Sequence, residues 1–527
     1  IQEQASRLTA ALRRERPRGD AAVNAVTVEA AVATIAAAHD DRWGGFTAAP
    51  KFPQAPVLEL LLRWEAVGGD TGDMLRTTLT AMAKGGIYDR LGGGFARYST
   101  DGRWLVPHFE KMLYDNALLA RVYLRAWQMT GEDLFRSVAE ATLDYIMGDL
   151  SMASGGLASS EDADSDGGEG RFYVFTWDEF ATAAGADAEP AARVLGVSRA
   201  GNFGGTNILH SARSAEDVAN ELGLSTDEVA TAVARVEDAL ATVRSHRTRP
   251  GVDDKAVTAW NGFAVRAFAE AAAVLGSERY AAQARNTARF LIDKATVGGR
   301  LMRSWRNGAT SVGGFSDDYS AAAIGLLTLY EATGEEEWAA AGLRLAAELV
   351  DLFWDPDGGG FFAIGIDSSP PLHRSKDLQD NPTPGGNSLG AELMGMVGAL
   401  TGQARWLEMQ AGALQSGAYI ARNHPLAAGH LLAVAATVPT MKEVALVGAG
   451  KPRQDLADAV WESFRPDCVL AWGPGDAGLI PLLAGREPVG DAAAAYVCRD
   501  FTCDAPVIDA TSLRRRLRAQ PRHVPQR

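Results

Sequence analysis

The sequence contains little cysteine and no long apolar stretch, and both absences narrow what the protein can be. Its three cysteines, Cys468, Cys498 and Cys503, cannot all be paired, and none lies near a cluster of histidines. We therefore expect neither a disulfide framework nor a structural zinc site, and we predict a reducing, cytoplasmic location. No apolar run reaches the ~18 to 20 residues that a membrane-spanning helix needs, so we expect no membrane partner.

The sequence also has fewer basic than acidic residues. The 527 residues include 51 Lys and Arg against 66 Asp and Glu, which gives a formal net charge of -15. Nucleic-acid binding depends on neutralising phosphates with Lys and Arg, so this balance argues against a nucleic-acid partner and favours a neutral polar ligand. With 47% hydrophobic and 22% charged residues, the chain can bury a large core, and its length predicts one large domain and one small one.

Helical hairpins recur along the chain. In four places a long apolar-periodic segment ends on Gly and a second begins at once with polar residues and an aromatic, at 130–135, 275–280, 333–338 and 401–406. Gly can adopt the left-handed conformation that closes a helix, and acids in the next first turn favour its positive end. Glycine pairs followed by an apolar residue, as in Gly93-Gly94-Phe95 and Gly359-Gly360-Phe361, predict tight turns between hairpins.

Twelve segments carry a helical pattern, which predicts a mainly α fold, an (α/α)6 toroid of six hairpins. They are 23–38, 54–67, 72–86, 114–130, 133–148, 256–275, 277–293, 317–333, 335–352, 387–401, 404–422 and 425–435. A single hairpin cannot bury its own apolar face, which favours a closed ring over the alternative, an open helical solenoid. We expect the toroid over residues 1–435, with 177–246 as an insertion, and a small α/β subdomain over 436–527, where strand and helix patterns alternate.

Polar residues gather where the first helix of each hairpin begins, at the predicted mouth of the ring. The helix starts carry Tyr114, Asp115, Asn116, Trp260, Asn261, Asp318 and Asn387, and the preceding loops carry Arg97, Tyr98, Trp104, His108, Glu110, Asp254, Lys255, Lys376 and Asp377. Such a set suits a sugar, whose ring stacks on Trp or Tyr while its hydroxyls bond carboxylates and amides. Each residue could instead be a helix cap or part of a salt-bridged loop.

Two features bear on chemistry. His108 is the single histidine of the mouth-facing set, and an imidazole suits proton transfer near neutral pH, although a structural role is the simpler alternative. The acidic run 161–169 supplies Glu161, Asp162 and Asp164 as candidate substrate ligands. Its alternating carboxylates also suit a calcium loop, but Tyr173 stands where the bidentate Glu is expected, so we assign no metal; a solvated turn is the third alternative.

Several motifs resemble those of the thioredoxin-domain-containing proteins of the spermatogenesis-associated type. They lie at 49–53, 89–95, 107–116, 161–165, 201–203, 253–255, 260–262, 376–377 and 386–388, and so span nearly the whole chain. The resemblance implies a thioredoxin-like domain N-terminal to Ile1 and a six-hairpin, glycosidase-like toroid similar to that of the N-acylglucosamine 2-epimerases. Ala96 stands where the family commonly carries His. Sugar epimerases of this shape use two facing histidines, and the mouth offers one, which weakens the epimerase alternative.

Two functions stay open at this stage. The first is a carbohydrate-active enzyme, a sugar isomerase, epimerase or glycosidase, that needs no cofactor and acts on a small sugar-like ligand. His108, Asp115, Asp254 and Asp318 would be its catalytic residues, and the other residues named above from the mouth and the acidic run would bind the substrate. The second is a non-catalytic toroid that binds a ligand or client for a thioredoxin-like domain in redox or protein quality control.

Overall fold

The main body of the molecule is helical. The computed structural model describes residues 22–368, 373–473 and 478–518. Its helices are α1 Ala25–Ala37, α2 Ala55–Ala66, α3 Gly72–Lys84, α4 Leu113–Thr130, α5 Asp133–Asp149, α6 Trp177–Ala184, α7 Ala188–Leu195, α8 Ala215–Leu222, α9 Thr226–Ser245, α10 Thr258–Leu275, α11 Glu278–Asp293, α12 Ser316–Thr333, α13 Glu336–Phe353, α14 Gly386–Thr401, α15 Ala404–Ser416, α16 Ala418–Asn423, α17 Gly429–Thr437, α18 Gly450–Trp461 and α19 Ala510–Arg518. Across these helices, none combines the length and apolar character of a membrane span.

Six helices form a closed inner wall. They are α2, α4, α10, α12, α14 and α17; each packs against the next, and α17 packs against α2. The outer layer consists of α1, α3, α5, α11, α13 and α15 with α16, each beside an inner helix. The inner helices are buried on nearly every side, as in α4, where each residue from Leu113 to Ala126 is buried. The predicted (α/α)6 toroid is confirmed, and the open solenoid is wrong.

Glycine ends the inner helices as the sequence predicts. Gly131 follows α4 with φ 75°, and Gly276 follows α10 with φ 63°, both in the left-handed region where a Cβ would be strained. The outer helix then starts within a few residues, so each pair forms a tight antiparallel hairpin. One predicted helix differs: segment 404–422 breaks after Ser416, where Gly417 separates α15 from α16.

Short strands join the loops that precede the inner helices. The strands are β1 Tyr98–Ser99, β2 Pro107–His108, β3 Lys111–Met112, β4 Ser160–Glu161, β5 Asp164–Ser165, β6 Gly168–Glu169, β7 Val252–Asp253, β8 Ala256–Val257, β9 Thr296–Val297, β10 Arg300–Leu301, β11 Ser304–Arg306, β12 Ala309–Thr310, β13 Lys442–Val447, β14 Cys468–Gly473, β15 Ala494–Arg499 and β16 Thr502–Cys503. β4 pairs with both β3 and β7, and β11 pairs with β8. These pairings fix the rim around the N-terminal ends of α4, α10 and α12, which we call the mouth.

A small α/β layer covers the opposite end of the ring. Its strands follow the order β14-β13-β15-β16, with β13 parallel to β14 and antiparallel to β15, and α18 makes the crossover. The Gln128 amide at the end of α4 donates to the Trp461 carbonyl (2.6 Å), and the Leu470 amide donates to Glu331 of α12 (2.9 Å). Helices α6 to α9 pack around a separate apolar cluster that includes Phe180 and Leu240. The domain boundaries at 177–246 and 435/436 stay predictions.

The cysteine prediction is wrong in one respect. Cys498 and Cys503 form a disulfide, with their Cα atoms 3.9 Å apart. They face each other in the antiparallel pair β15–β16, so the turn between these strands brings the two sulfurs together. An odd count of cysteines excludes full pairing but cannot reveal a short hairpin of this kind. Cys468 is the free thiol.

Candidate functional site: the mouth of the toroid

Two aromatic side chains from neighbouring inner helices meet in the mouth. Tyr114 lies in the first turn of α4 and Trp260 in the first turn of α10, and their rings contact edge to face with centroids 4.8 Å apart. Tyr114 is buried, whereas Trp260 is half-buried and keeps part of its ring accessible. Aromatic surfaces of this kind bind the apolar faces of sugar rings. The mouth therefore has one feature that a sugar site requires.

Asp115 is a buried acid in the first turn of α4. It is 6% exposed, and its Oδ2 atom is buried without a hydrogen-bond partner among the described residues. Burial raises the pKa of Asp115 well above its ordinary value, although the charge of Arg97 and a hydrogen bond from the Tyr114 side chain lower it, and Glu110 raises it again. A buried oxygen without a partner is costly and uncommon. The combination indicates a carboxyl group whose protonated form is favoured by burial and which has free bonding capacity.

Arg97 lies between Asp115 and the outer part of the mouth. Its Nη1 approaches Glu110 Oε2 at 3.5 Å, and its side chain bonds Tyr114. Its Nε is buried without a partner among the described residues, like Asp115 Oδ2. Burial raises the pKa of Tyr114, so the phenol stays protonated and can donate. Arg97, Tyr114 and Asp115 thus form one connected polar group with bonding capacity left over.

His108 stands next to this group at the rim. Its Nδ1 is 2.8 Å from Glu169 Oε1, and its Nε2 is 3.8 Å from Glu110 Oε2. Its ring stacks on Tyr98 with centroids 5.0 Å apart, and its side chain is 31% exposed. The acidic run thus reaches the site through Glu169, which the sequence analysis did not single out. His108 is held between two carboxylates and stays accessible, as a proton-transfer group would be.

Three amides of the predicted site are occupied by backbone bonds. Asn116 bonds the N–H and carbonyl of Phe95, Asn261 those of Leu157, and Asn387 bonds the N–H of Phe361 and the carbonyl of Ala413. All three are fully buried. Phe95, Leu157 and Phe361 are the apolar residues that follow the repeated glycine pairs. The asparagines thus lock the inter-hairpin turns onto the next inner helix.

The other two predicted catalytic acids are bonded differently from Asp115. Asp318 is fully buried and accepts from the N–H groups of Ala259 (3.0 Å) and Phe315 (2.8 Å), so it caps α12 and ties it to α10. Burial and the charge of Asp317 raise the pKa of Asp318 to about 7. Asp254 lies on the rim, 41% exposed, with an ion pair to Arg306 Nε at 2.5 Å. Asp254 Oδ1 is buried without a hydrogen bond, but unlike Asp115 Oδ2 it has the Arg306 guanidinium beside it.

The remaining predicted ligands spread beyond the mouth centre. Trp104 is fully buried and its Nε1 donates to the Trp43 carbonyl (2.7 Å), and Lys376 pairs with Asp355 (2.6 Å). Lys255 pairs with Asp253 (3.2 Å) at the rim, and Asp377 is exposed beside the start of α14.

The acidic run divides in the same way. Glu161 is buried and bonds the Tyr145 hydroxyl (3.1 Å) and Arg249 (3.2 Å), whereas Asp162 and Asp164 are exposed. Within residues 22–368, 373–473 and 478–518, no group of three or more His, Cys, Asp or Glu side chains is placed to hold a metal ion. From the predicted set, the structure therefore brings together Arg97, Tyr98, His108, Glu110, Tyr114, Asp115 and Trp260.

A second polar cluster, which sequence reasoning missed, fills the axis of the ring. We call it the axial cluster; it contains Glu59, Arg63, Arg121, Arg125, Arg266, Glu270, Glu392 and His430, all buried and contributed by five inner helices. Arg121 reaches Glu270 at 3.0 Å, Arg266 reaches Glu392 at 2.9 Å, and His430 Nε2 lies 2.9 Å from Glu392. The sequence feature that could have indicated this cluster is the presence of charged residues four positions apart inside otherwise apolar helices, as at Glu59 and Arg63.

Charge compensation keeps the carboxylates of the axial cluster ionised. Burial raises the pKa of Glu270, but the charges of Arg121 and Arg125 outweigh it and lower that pKa to about 2. Burial and the neighbouring charge of Arg125 lower the pKa of Arg121 to about 10. Ions buried this deeply are costly unless each keeps its partners. The axial cluster therefore constrains how the inner helices fit together.

The closed ring and its polar mouth define the class: an (α/α)6 toroid protein of the six-hairpin, glycosidase-like type. The chain is 35% identical over 533 residues to the human spermatogenesis-associated protein 20, an alignment that covers 91% of this chain and 67% of the human protein. The protein belongs to the spermatogenesis-associated protein 20 family, which confirms the resemblance found in the sequence. No family model matches.

Solved structures of sugar-processing enzymes resemble the chain more distantly. A family 76 mannosidase from Bacteroides thetaiotaomicron is 12% identical, with a TM-score of 0.37 over 68% of this chain and 71% of the mannosidase. A cellobiose 2-epimerase from Bacillus thermoamylovorans is 12% identical, with a TM-score of 0.31 over 66% of this chain and 92% of the epimerase. Scores of this size establish neither a shared reaction nor shared site residues.

Proposed function

We propose that the protein is a carbohydrate-active enzyme whose substrate binds in the mouth against Trp260 and Tyr114. The observation that carries this proposal is Asp115, a buried acid with a raised pKa and a free oxygen, next to those aromatic rings. Strongly perturbed acids in a cleft are candidates for general acid or base catalysis. A neutral ligand also agrees with the net charge of -15.

The proposed chemistry is proton transfer. Asp115 stays protonated at neutral pH and donates its proton to an oxygen of the bound sugar, while Arg97 and Tyr114 hold that oxygen by hydrogen bonds. His108, with Glu110 and Glu169 on either side, is the base at the rim; it accepts the proton of a sugar C–H bond in isomerisation or epimerisation, or a proton of the attacking water in hydrolysis. An acid and a base on opposite sides of a sugar serve both isomerisation or epimerisation and glycoside hydrolysis. The substrate classes to test first are hexoses and neutral disaccharides.

Three further expectations belong to this proposal. We keep a cytoplasmic location, the absence of a nucleic-acid partner, and a thioredoxin-like domain as the partner of the toroid. The charge balance supports the second, and the family resemblance supports the third. A non-catalytic toroid that holds a client for that domain is the competing function, and the experiment below separates the two.

The test is turnover by the purified protein and by the Asp115→Asn variant. Wild-type protein is incubated with mannose, glucose, cellobiose and mannobiose, and products are separated by chromatography. If Asp115 is the acid, its replacement lowers kcat by about 10²- to 10⁴-fold with little change in KM, because a transition-state interaction is lost.

Asp351→Asn is the matched control for this test, since Asp351 is exposed on the outer helix α13. That variant should keep full turnover. Equal turnover by the Asp115→Asn protein, or binding of unfolded polypeptide without any change to the sugars, would contradict the proposal.

A further inference from the structure

A groove on the outside of the ring is lined by basic side chains, although the net charge of the protein is negative. It has a volume of about 550 Å³ and lies between α3, the 100–106 loop and the 210–212 segment. Arg42, Arg76, Lys84, Arg103 and His210 line it, and no acidic residue does among the described residues that form its wall. Five basic side chains around one groove are unexpected in a chain of net charge -15.

Most of these cations have no acidic partner. Within the described residues, no ion pair involves Arg42, Lys84 or Arg103, whereas Arg76 pairs with Glu132 at 3.1 Å. The nearest acid on the loop, Asp101, is occupied by the backbone N–H groups of Arg103 (2.6 Å) and Val106 (2.7 Å). A cleft lined by one sign of charge concentrates ions of the other sign. The positive charge of the groove is thus available to bind an anionic ligand.

The pKa of His210 is affected by the same positive charges. Burial lowers the pKa of His210, and the charges of Arg90 and Arg103 lower it further, against a raising effect from the Ile208 carbonyl. Arg90 is itself held by Glu237 at 2.7 Å, so it cannot turn away. An anion seated beside His210 would reverse this effect and raise its pKa.

The groove also offers a surface for a ring. Trp43 is half-buried in its wall, with the Arg42 guanidinium 5.1 Å from its ring centroid, and Leu105 and the Thr77 and Thr80 side chains complete the wall. A guanidinium stacked on a Trp is already oriented to present its N–H groups, and Arg recognises phosphate by two parallel hydrogen bonds. A positively charged group, Arg42, and an aromatic surface, Trp43, therefore lie next to each other in the groove.

We propose that this groove is a binding site for a phosphorylated small molecule that carries a ring, the chemistry of a nucleoside diphosphate or an aryl phosphate. The phosphate groups lie among Arg42, Lys84 and Arg103, and the ring lies against Trp43. The site is separate from the mouth and does not depend on the sugar chemistry proposed there.

The experiment is isothermal titration of the folded protein with ADP, inorganic pyrophosphate, adenosine and an octaglutamate peptide at low salt. We expect ADP to bind more tightly than pyrophosphate, adenosine to bind poorly, and ADP binding to weaken steeply as salt is added. Proton NMR of His210 in the same samples should show its pKa rising when ADP is present. Arg103→Ala should weaken ADP binding by about tenfold or more, because a charged hydrogen bond is lost.

Arg405→Ala is the matched control. Arg405 is exposed and stacks on Trp406 (4.4 Å) as Arg42 does on Trp43, but it lies on the outer helix α15. It should leave ADP binding unchanged. The proposal is overturned if ADP does not bind at millimolar concentration, if Arg103→Ala and Arg405→Ala weaken it equally, or if octaglutamate binds and ADP does not.

Discussion

Asp115 belongs to the polar group of the mouth and His108 stands next to that group, and the surroundings of the two residues differ. Asp115 is buried with its pKa raised, whereas His108 is partly exposed and bonded to Glu169. The first environment keeps a proton in place, and the second keeps a base within reach of solvent and ligand. For this reason the proposed mechanism gives the acid role to Asp115 and the base role to His108.

Replacing His108 by Asn tests that assignment at the residue scale. The amide keeps one hydrogen bond to Glu169 but cannot exchange a proton near neutral pH, so turnover should fall about 10²- to 10⁴-fold. Because the side chain is 31% exposed, the melting temperature should barely move. Kinetics paired with calorimetry measure both. A large drop in melting temperature with unchanged turnover per folded molecule would make His108 a structural residue.

The sequence identified the mouth but could not separate its structural residues from its free ones. In the sequence, Asn116, Asn261 and Asn387 cannot be told apart from Asp115, because each is a polar residue in the first turns of an inner helix. Their partners are backbone groups of turns 21 to 104 positions away, so only the folded structure shows that they are occupied. The free oxygen of Asp115 is likewise a property of packing and not of sequence.

At the scale of elements, apolar periodicity and the placement of glycines were enough to predict the helices. They did not predict the charged side chains that the ring of helices encloses. Apolar spacing predicted the twelve toroid helices because each must bury a face against two neighbours. The charges four apart, such as Arg121 and Arg125, were a signal too ambiguous to place them in the axis, since such pairs are usual on exposed faces. The axial cluster is therefore a tertiary feature.

Glu270→Gln tests the axial cluster. The substitution keeps the shape but removes the charge that compensates Arg121, Arg125 and Arg266. Leaving buried charges unpaired should lower the free energy of unfolding by about 3–5 kcal/mol. Glu140→Gln is the control, because its pair with Arg136 (3.4 Å) is exposed and should contribute about 0–1 kcal/mol. Urea unfolding measures both variants, and equal losses would show that the axial cluster adds no special stability.

On the scale of the whole molecule, Glu331 joins the ring to the C-terminal α/β layer. Its Oε1 accepts the Leu470 N–H (2.9 Å), and burial raises its pKa to about 7. The folded state therefore binds the proton more tightly than the unfolded state between about pH 4.5 and 7. Stability from this group is complete below that window and is lost as pH rises through it.

Glu331→Gln should remove that dependence. Relative to the variant, the wild-type protein should lose about 3 kcal/mol of unfolding free energy between pH 4.5 and 7, and nothing further above it. Denaturant unfolding at half-unit pH steps gives the comparison, with the Glu140→Gln protein as a surface control. Parallel pH curves for wild type and Glu331→Gln would show that Glu331 titrates normally and that the two parts dock without it.

The most direct measurement of the central claim is a crystal structure of the protein soaked with a neutral disaccharide such as cellobiose. We predict a sugar ring in the mouth, stacked on Trp260, with one of its oxygens within hydrogen-bond reach of the Asp115 carboxyl group and another facing His108. The Asp115→Asn protein should hold the sugar in the same place. A sugar bound elsewhere, or a mouth filled by an extended peptide, would contradict the claim that this toroid is a carbohydrate-active enzyme.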